Sequence, residues 1–336
     1  MKNLNLAAFV AMMGTATLAL ATKLFFDNLL ALGFAYALES GILALFAYYF
    51  TVFLARLAHW KDFSETLKNP QVANLYSAMP IAAALSVMML IKIGIPFFPY
   101  NESLAFVFWS ISAVFSLFFL VTVPINLKFR VEVRHIMGTW FIPPVGVFVL
   151  ISAGAVLASA MPWMKTFMAF FNLFALGPAF VLYFLTLSLL YFRTKFEKMP
   201  EQNLAPTFNI VLAPVGVSIM AVLFTANLLD GFYGLGPAFS AAARIYSLTF
   251  FGYGLWIIFG LILLYKRFVT EMGKIPFSEL WWAFVFPVGA FTLATYNIYT
   301  VFGFWLFRAA YLMLYAALLG LWGVTAIKML KKMISV

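Results

Sequence analysis

Apolar residues run along this chain in long blocks separated by short polar segments, and ten of the blocks are long enough to cross a bilayer as helices. They are Asn5 to Ala21, Leu29 to Ala55, Val72 to Ile93, Leu104 to Val123, Trp140 to Ala160, Phe167 to Phe192, Phe208 to Leu229, Ala238 to Tyr265, Leu280 to Tyr299 and Phe302 to Ile327. A helix satisfies its own backbone hydrogen bonds in lipid, whereas a membrane β-barrel would need short alternating segments, which the chain lacks. The first block resembles a signal peptide, with Lys2 before it and Ala19-Leu20-Ala21 at its end. It also carries the repeat pattern described below, so it counts as a helix. The expected fold is an all-α polytopic membrane protein, with residues 1–336 forming one transmembrane domain.

Composition agrees. Of 336 residues 65% are hydrophobic and 10% charged, against about 25% charged in soluble domains. The net charge of +10 is distributed by loop. Arg56, Lys61 and Lys68 follow the second block, Lys128, Arg130 and Arg134 the fourth, Arg193, Lys195 and Lys198 the sixth, and Lys266, Arg267 and Lys274 the eighth. Lys2, Lys328, Lys331 and Lys332 belong to the same side, which collects 16 of the 21 basic residues. The positive-inside rule then puts both termini in the cytoplasm and the chain in a cytoplasmic or plasma membrane. Charges spread over loops do not form the single basic face that nucleic acid requires.

A short pattern recurs in every odd-numbered block. Pro144-Val145-Gly146-Val147 returns as Pro214-Val215-Gly216-Val217, as Pro287-Val288-Gly289-Ala290 and, more loosely, as Pro80-Ile81-Ala82-Ala83, with Met12-Met13-Gly14-Thr15 in the matching place of the first block. The anchors 12, 80, 144, 214 and 287 are 68, 64, 70 and 73 residues apart. This divides the chain into five helical hairpins, 1–58, 59–126, 127–195, 196–267 and 268–336.

A proline inside a helix bends it, and in lipid the freed carbonyl needs protein or water. A small residue two positions later leaves a notch. Five such helices around one axis would enclose a pore, with the even helices outside. Expected pore-lining positions are Met12, Gly14, Thr15, Pro80, Ala82, Pro144, Gly146, Pro214, Gly216, Ser218, Pro287 and Gly289. The competing interpretation is helix packing, which small residues also serve. Hydroxyls at Thr15, Thr17, Ser86, Ser152, Ser218, Thr292 and Thr295 would meet an ion, or would bond their own helix backbone.

No acid lies on these helices, which disfavours a cation path. Lys23, Lys92, Lys165 and Arg244, with Arg308, occur one per unit towards the outer side and could hold an anion-attracting vestibule, or merely snorkel. Glu39 is the carboxylate deepest in a span, with Arg308 as a proposed ion-pair partner and proton coupling as the alternative role. Cysteine is absent, His59 and His135 fall in loops, and neither catalytic constellations nor nucleotide-binding glycine loops occur in the sequence. The expectation is a non-enzyme without cofactors.

Gly138-Thr139-Trp140-Phe141-Ile142-Pro143-Pro144-Val145, Ile210-Val211-Leu212-Ala213-Pro214, and Trp281-Trp282-Ala283-Phe284-Val285-Phe286-Pro287 with Thr292 and Thr295 resemble segments of the tellurite-resistance/dicarboxylate transporter family. Met13-Gly14-Thr15 is similar to its malate-transporter branch, and the family includes plant slow-type anion channels and yeast sulfite exporters. The resemblance spans essentially the whole chain. It implies five hairpins around a pore, a homotrimer with one pore per protomer, and a plugging phenylalanine in the ninth helix, at Phe286. It allows two activities: passage of small inorganic anions, and proton-coupled carriage of C4-dicarboxylates such as malate.

Overall fold

The computed structural model describes residues 5–70, 72–127, 131–232 and 234–334 of the chain. Of the basic loop residues, Lys2, Lys128 and Arg130 lie outside the described residues. The helices are α1 (Leu6–Phe25), α2 (Leu29–Leu57), the short α3 (Trp60–Thr66), α4 (Ala78–Lys92), α5 (Asn101–Leu127), α6 (Ile142–Ala160), α7 (Lys165–Phe196), α8 (Ala213–Leu229), α9 (Leu235–Met272), α10 (Trp282–Phe302) and α11 (Trp305–Ile334). Among the described residues ten segments are long and apolar enough to span a bilayer, so the chain is a multi-pass membrane protein. Each expected block corresponds to one of them. The largest differences are at α9 and α11, which run past Tyr265 and Ile327 to Met272 and Ile334 on lysine- and arginine-rich turns whose charges can reach water.

Five helices pack inside and five outside. The apolar windows of α1, α4, α6, α8 and α10 are 61 to 100% buried, those of α2, α5, α7, α9 and α11 only 17 to 33%. The inner helices touch in the order α1, α4, α6, α8, α10 and back to α1, closing a ring, and each is followed by the outer helix it packs against. Aromatic rings fill the inner–outer seams, as with Phe9 against Phe46 at 6.1 Å, Phe148 against Phe180 at 5.0 Å and Phe251 against Phe291 at 5.6 Å. The ring closes through Phe25 of α1, which meets Tyr296 of α10 at 4.9 Å and Tyr311 of α11 at 4.5 Å.

Local chemistry sets the helix ends. Asn5 and Asn28 cap α1 and α2 by accepting from the amides of Ala7 and Ala31. Gly303, at φ 66°, makes the turn from α10 to α11. The prolines require a correction: three of the four do not bend a helix at its middle. Pro80, Pro144 and Pro214 sit in the first turns of α4, α6 and α8, after 3₁₀ stretches at Ala73–Ser77, Gly138–Phe141 and Gln202–Leu212. A proline there sacrifices little, because first-turn amides have no intrahelical partner. Only Pro287 lies inside its α-helix. It frees the carbonyl of Ala283, four residues back, and the Asn209 side-chain amide donates to that oxygen at 3.3 Å.

Candidate functional site

At the end of the ring remote from the chain termini, the five inner helices enclose an open cavity of about 550 Å³. Each helix contributes an apolar residue to its wall: Leu20, Met88, Val156, Met220 and Leu293. The polar part comprises Lys92, Lys165, Ser159, Asn227, Tyr296 and Asn297, and among the described residues no carboxylate lines the wall. Two ammonium groups at a low-dielectric mouth give it a positive potential. Lys165 is steadied by the Asp230 carbonyl at 3.5 Å and by the Phe232 ring at 5.9 Å. Of the basic residues expected here, only Lys92 and Lys165 line the cavity. Lys23, Arg244 and Arg308 do not; Arg244 and Arg308 are exposed on outer helices. Nearness to a span end fixes the level of a charge but not its direction.

The register of α10 identifies what lies beneath this cavity. Val285 touches α1, since a Cβ on Gly14 would stand 2.9 Å from its Cγ1, and a side chain on Gly289 would collide with Thr17 of α1. Ala290 touches α8 at Gly216, while on the α9 side Phe284 meets Tyr265 edge-on and Phe291 stacks on Phe251. The remaining stripe carries Leu293 and Asn297, which line the cavity, and Phe286, seven residues before Leu293. Seven residues return to the same helix face to within about 20°. Phe286 is buried and lies about 10 Å further along the axis than Leu293. Met13 of α1 has the same relation to Leu20, so this level is apolar.

The other expected pore-lining positions are turned elsewhere. Ala82, Pro214 and Pro287 each precede a cavity residue by six positions, which places them about 120° around the helix. Met12 is likewise rotated about 80° from the line of Leu20, the line that Met13 occupies. Thr15 accepts from Trp322 of α11 at 3.0 Å, Ser218 accepts from Tyr246 of α9 at 2.7 Å, and the Pro80 carbonyl accepts from Ser112 of α5 at 2.8 Å. Pro144 borders a groove between α5 and α7. Gly14, Gly216 and Gly289 sit where neighbouring inner helices touch, and Gly146 faces Ile81 and Ser116. At Gly14, Gly146, Gly216 and Gly289 the notch faces a neighbouring helix. The hydroxyls of Thr17, Ser86, Ser152, Ser218, Thr292 and Thr295 all donate to carbonyls of their own helices.

Glu39 is buried on the face of α2 that packs against α1, and neither of its carboxylate oxygens has a hydrogen-bond partner. The proposed ion pair with Arg308 does not form. Arg308 is exposed in the first turn of α11, and among the described residues no ion pair joins it to Glu39.

At the termini end of the ring a second cavity, of about 460 Å³, opens among the segments that lead into α4, α6, α8 and α10. Leu75, Thr139, Thr207 and Leu280 mark these four segments in its wall, joined by Arg134, His135, Arg193, Glu197, Lys198 and Glu201. Sequence reasoning missed Asn227, Asn297 and Arg193. Asn297 was accessible as the continuation of the Phe286 and Leu293 stripe. Arg193 had a signal too, as a charge continuing a buried helix stripe.

Against known proteins, the family profile of SLAC1, voltage-dependent anion channel, matches residues 3–330. Two uncharacterised transporters of Methanocaldococcus jannaschii are each 28% identical, over 99% and 98% of this chain and 96% and 94% of their own lengths. The sulfite efflux pump SSU1 of Arthroderma otae is 24% identical over 75% of this chain and 69% of its own.

Proposed function

Because the chain belongs to the SLAC1 voltage-dependent anion channel family, and so transports anions across a membrane, we propose that small inorganic anions pass along the axis of its five-helix ring, gated by Phe286. The observation that carries this reading is the pair of cavities at opposite ends of one closed ring, with the Phe286 stripe leading inward from the lysine-lined one. An ion leaving the outer cavity meets the apolar level of Met13 and Phe286, where a hydrated anion loses water without gaining a donor. An aromatic ring across such a constriction closes it. The sulfite efflux relative supports sulfite-like anions among those carried. The same proposal puts both termini in the cytoplasm, which the distribution of loop lysines and arginines supports. A homotrimer and the five quasi-repeated units belong to the same proposal. The family is one of channels and transporters, and the chain is not an enzyme.

The test is reconstitution into proteoliposomes with anion flux followed by current or by a chloride-sensitive dye. Phe286→Ala is expected to raise flux about tenfold or more, equivalent to lowering a barrier by about 1.4 kcal/mol, with anion-over-cation selectivity retained. Unchanged flux in a folded, inserted variant would falsify the gate. A second reading, a proton-coupled carrier of C4-dicarboxylates, is favoured by Glu39, a carboxyl group enclosed in the membrane with both oxygens unpartnered. Saturable malate uptake driven by a pH gradient, without current, would select it.

A further inference from the structure

The buried face of α7 runs through Asn172, Leu176, Ala179, Tyr183, Thr186 and Leu190, and its next member is Arg193. Among the described residues Arg193 and Glu39 are the only charged side chains buried, Arg193 being 3% exposed. Its neighbours do not neutralise it. The guanidinium lies over the Phe208 ring at 5.5 Å, and the charge of Glu197, one turn on, reaches it without an ion pair. It makes no hydrogen bond among the described residues, and its Nε is enclosed with no partner. Nε lacks an acceptor and the side chain borders an open cavity, so an anion there would meet a guanidinium that no ion pair has neutralised. The side chain borders the 460 Å³ cavity at the termini end of the ring, where such an anion has room.

We infer that Arg193 anchors an oxyanion-binding site in this cavity, selective for singly charged oxyanions such as nitrate or hydrogen sulfite over chloride. The guanidinium presents N–H groups in a planar fork that matches two oxygens of one anion, whereas a spherical halide accepts along no preferred pair of directions. The Phe208 ring, 5.5 Å from the guanidinium carbon, covers one side of it. Thr139, buried in the same wall, and Lys198 supply further donors. Arg134 is already paired with Glu132 at 2.8 Å. Glu197 and Glu201 share the wall and repel a second negative charge, which disfavours dianions. As a waypoint for transported anions the site rests on the function proposed above; as a binding site it stands on its own chemistry.

The experiment measures binding apart from flux. Purified full-length protein in detergent is titrated with sodium nitrate, sodium hydrogen sulfite and sodium chloride at constant ionic strength, by calorimetry and by thermal stability. Nitrate and hydrogen sulfite are expected to bind and stabilise, and chloride to do so far more weakly. Arg193→Lys keeps the charge and loses the fork, so it should weaken oxyanion binding about tenfold, the loss of one charge-assisted hydrogen bond. Glu197→Gln should tighten binding. Equal binding of chloride and nitrate by the unaltered protein, or unchanged oxyanion affinity in Arg193→Lys, overturns the inference. Oxyanion binding in a protein that passes no anion would sink the transport reading alone, and flux without oxyanion binding would sink this site alone.

Discussion

Gly216 occupies a place where a methyl group has no room: a Cβ there would stand 2.6 Å from the Ala290 carbonyl carbon of α10. Such backbone-to-backbone approach is how membrane helices gain packing energy when lipid offers as good an apolar environment as protein does. Gly216→Ala should therefore force α8 from α10 and lower the melting temperature in detergent, at a cost of about 1–3 kcal/mol typical of overpacking. Gly252, in α9, has nothing within 4 Å of its would-be Cβ. Gly252→Ala should leave stability unchanged or slightly raised, through helix propensity. Equal melting temperatures for the two variants would contradict the ring seam. The notch pattern was legible in the sequence at these positions; its azimuth was not. Every face of an inner helix is apolar, whether it meets a neighbour, an outer helix or the axis, so the hydrophobic pattern could not separate Met12 from Met13. Phe286 could be placed only from contacts, because Val285 and Gly289 on one flank and Ala290 on the other leave it the stripe that continues to Leu293 and Asn297.

At the scale of elements, span number and position were readable because length and hydropathy depend on the bilayer alone. The 3₁₀ lead-ins were not. Pro80, Pro144 and Pro214 signalled a break, and a break near the middle of an apolar run equally describes a 3₁₀-to-α joint. Charged residues near helix ends were similarly ambiguous. Lys92 ends α4 and Lys165 begins α7, and both turn into the outer cavity, whereas Arg244 lies well inside α9 on an exposed face. Lys92→Glu with Lys165→Glu should reduce anion flux several-fold at about 0.01 M salt, where the Debye length is about 30 Å, and much less at about 1 M, where it is about 3 Å. Arg244→Glu should change flux little at either salt concentration. Equal effects of the two reversals would show that the cavity lysines do not steer anions.

For the molecule as a whole, closure of the ring puts the two cavities at opposite ends of one bundle of five helices. The contacts of α1 with α10, and the hydrogen bonds from α11 to α1 through Trp322 to Thr15 and between Tyr315 and Thr22 at 2.9 Å, join the first hairpin to the last. No local sequence signal specifies this pairing; it follows from five similar hairpins having two flanks each. Because the chain lacks cysteine, single cysteines can report on each cavity without background. Asn297→Cys, in the outer cavity, should react with a membrane-impermeant anionic thiol reagent added on the side opposite the termini. Thr139→Cys, in the inner cavity, should react only from the termini side. Adding Phe286→Ala should let small anions cross while a bulky reagent still labels each cysteine from one side, since the wall of five helices is unchanged. Labelling of Asn297→Cys from both sides with Phe286 in place would mean that the cavities communicate around the phenylalanine, and the gate would have to lie elsewhere on the axis.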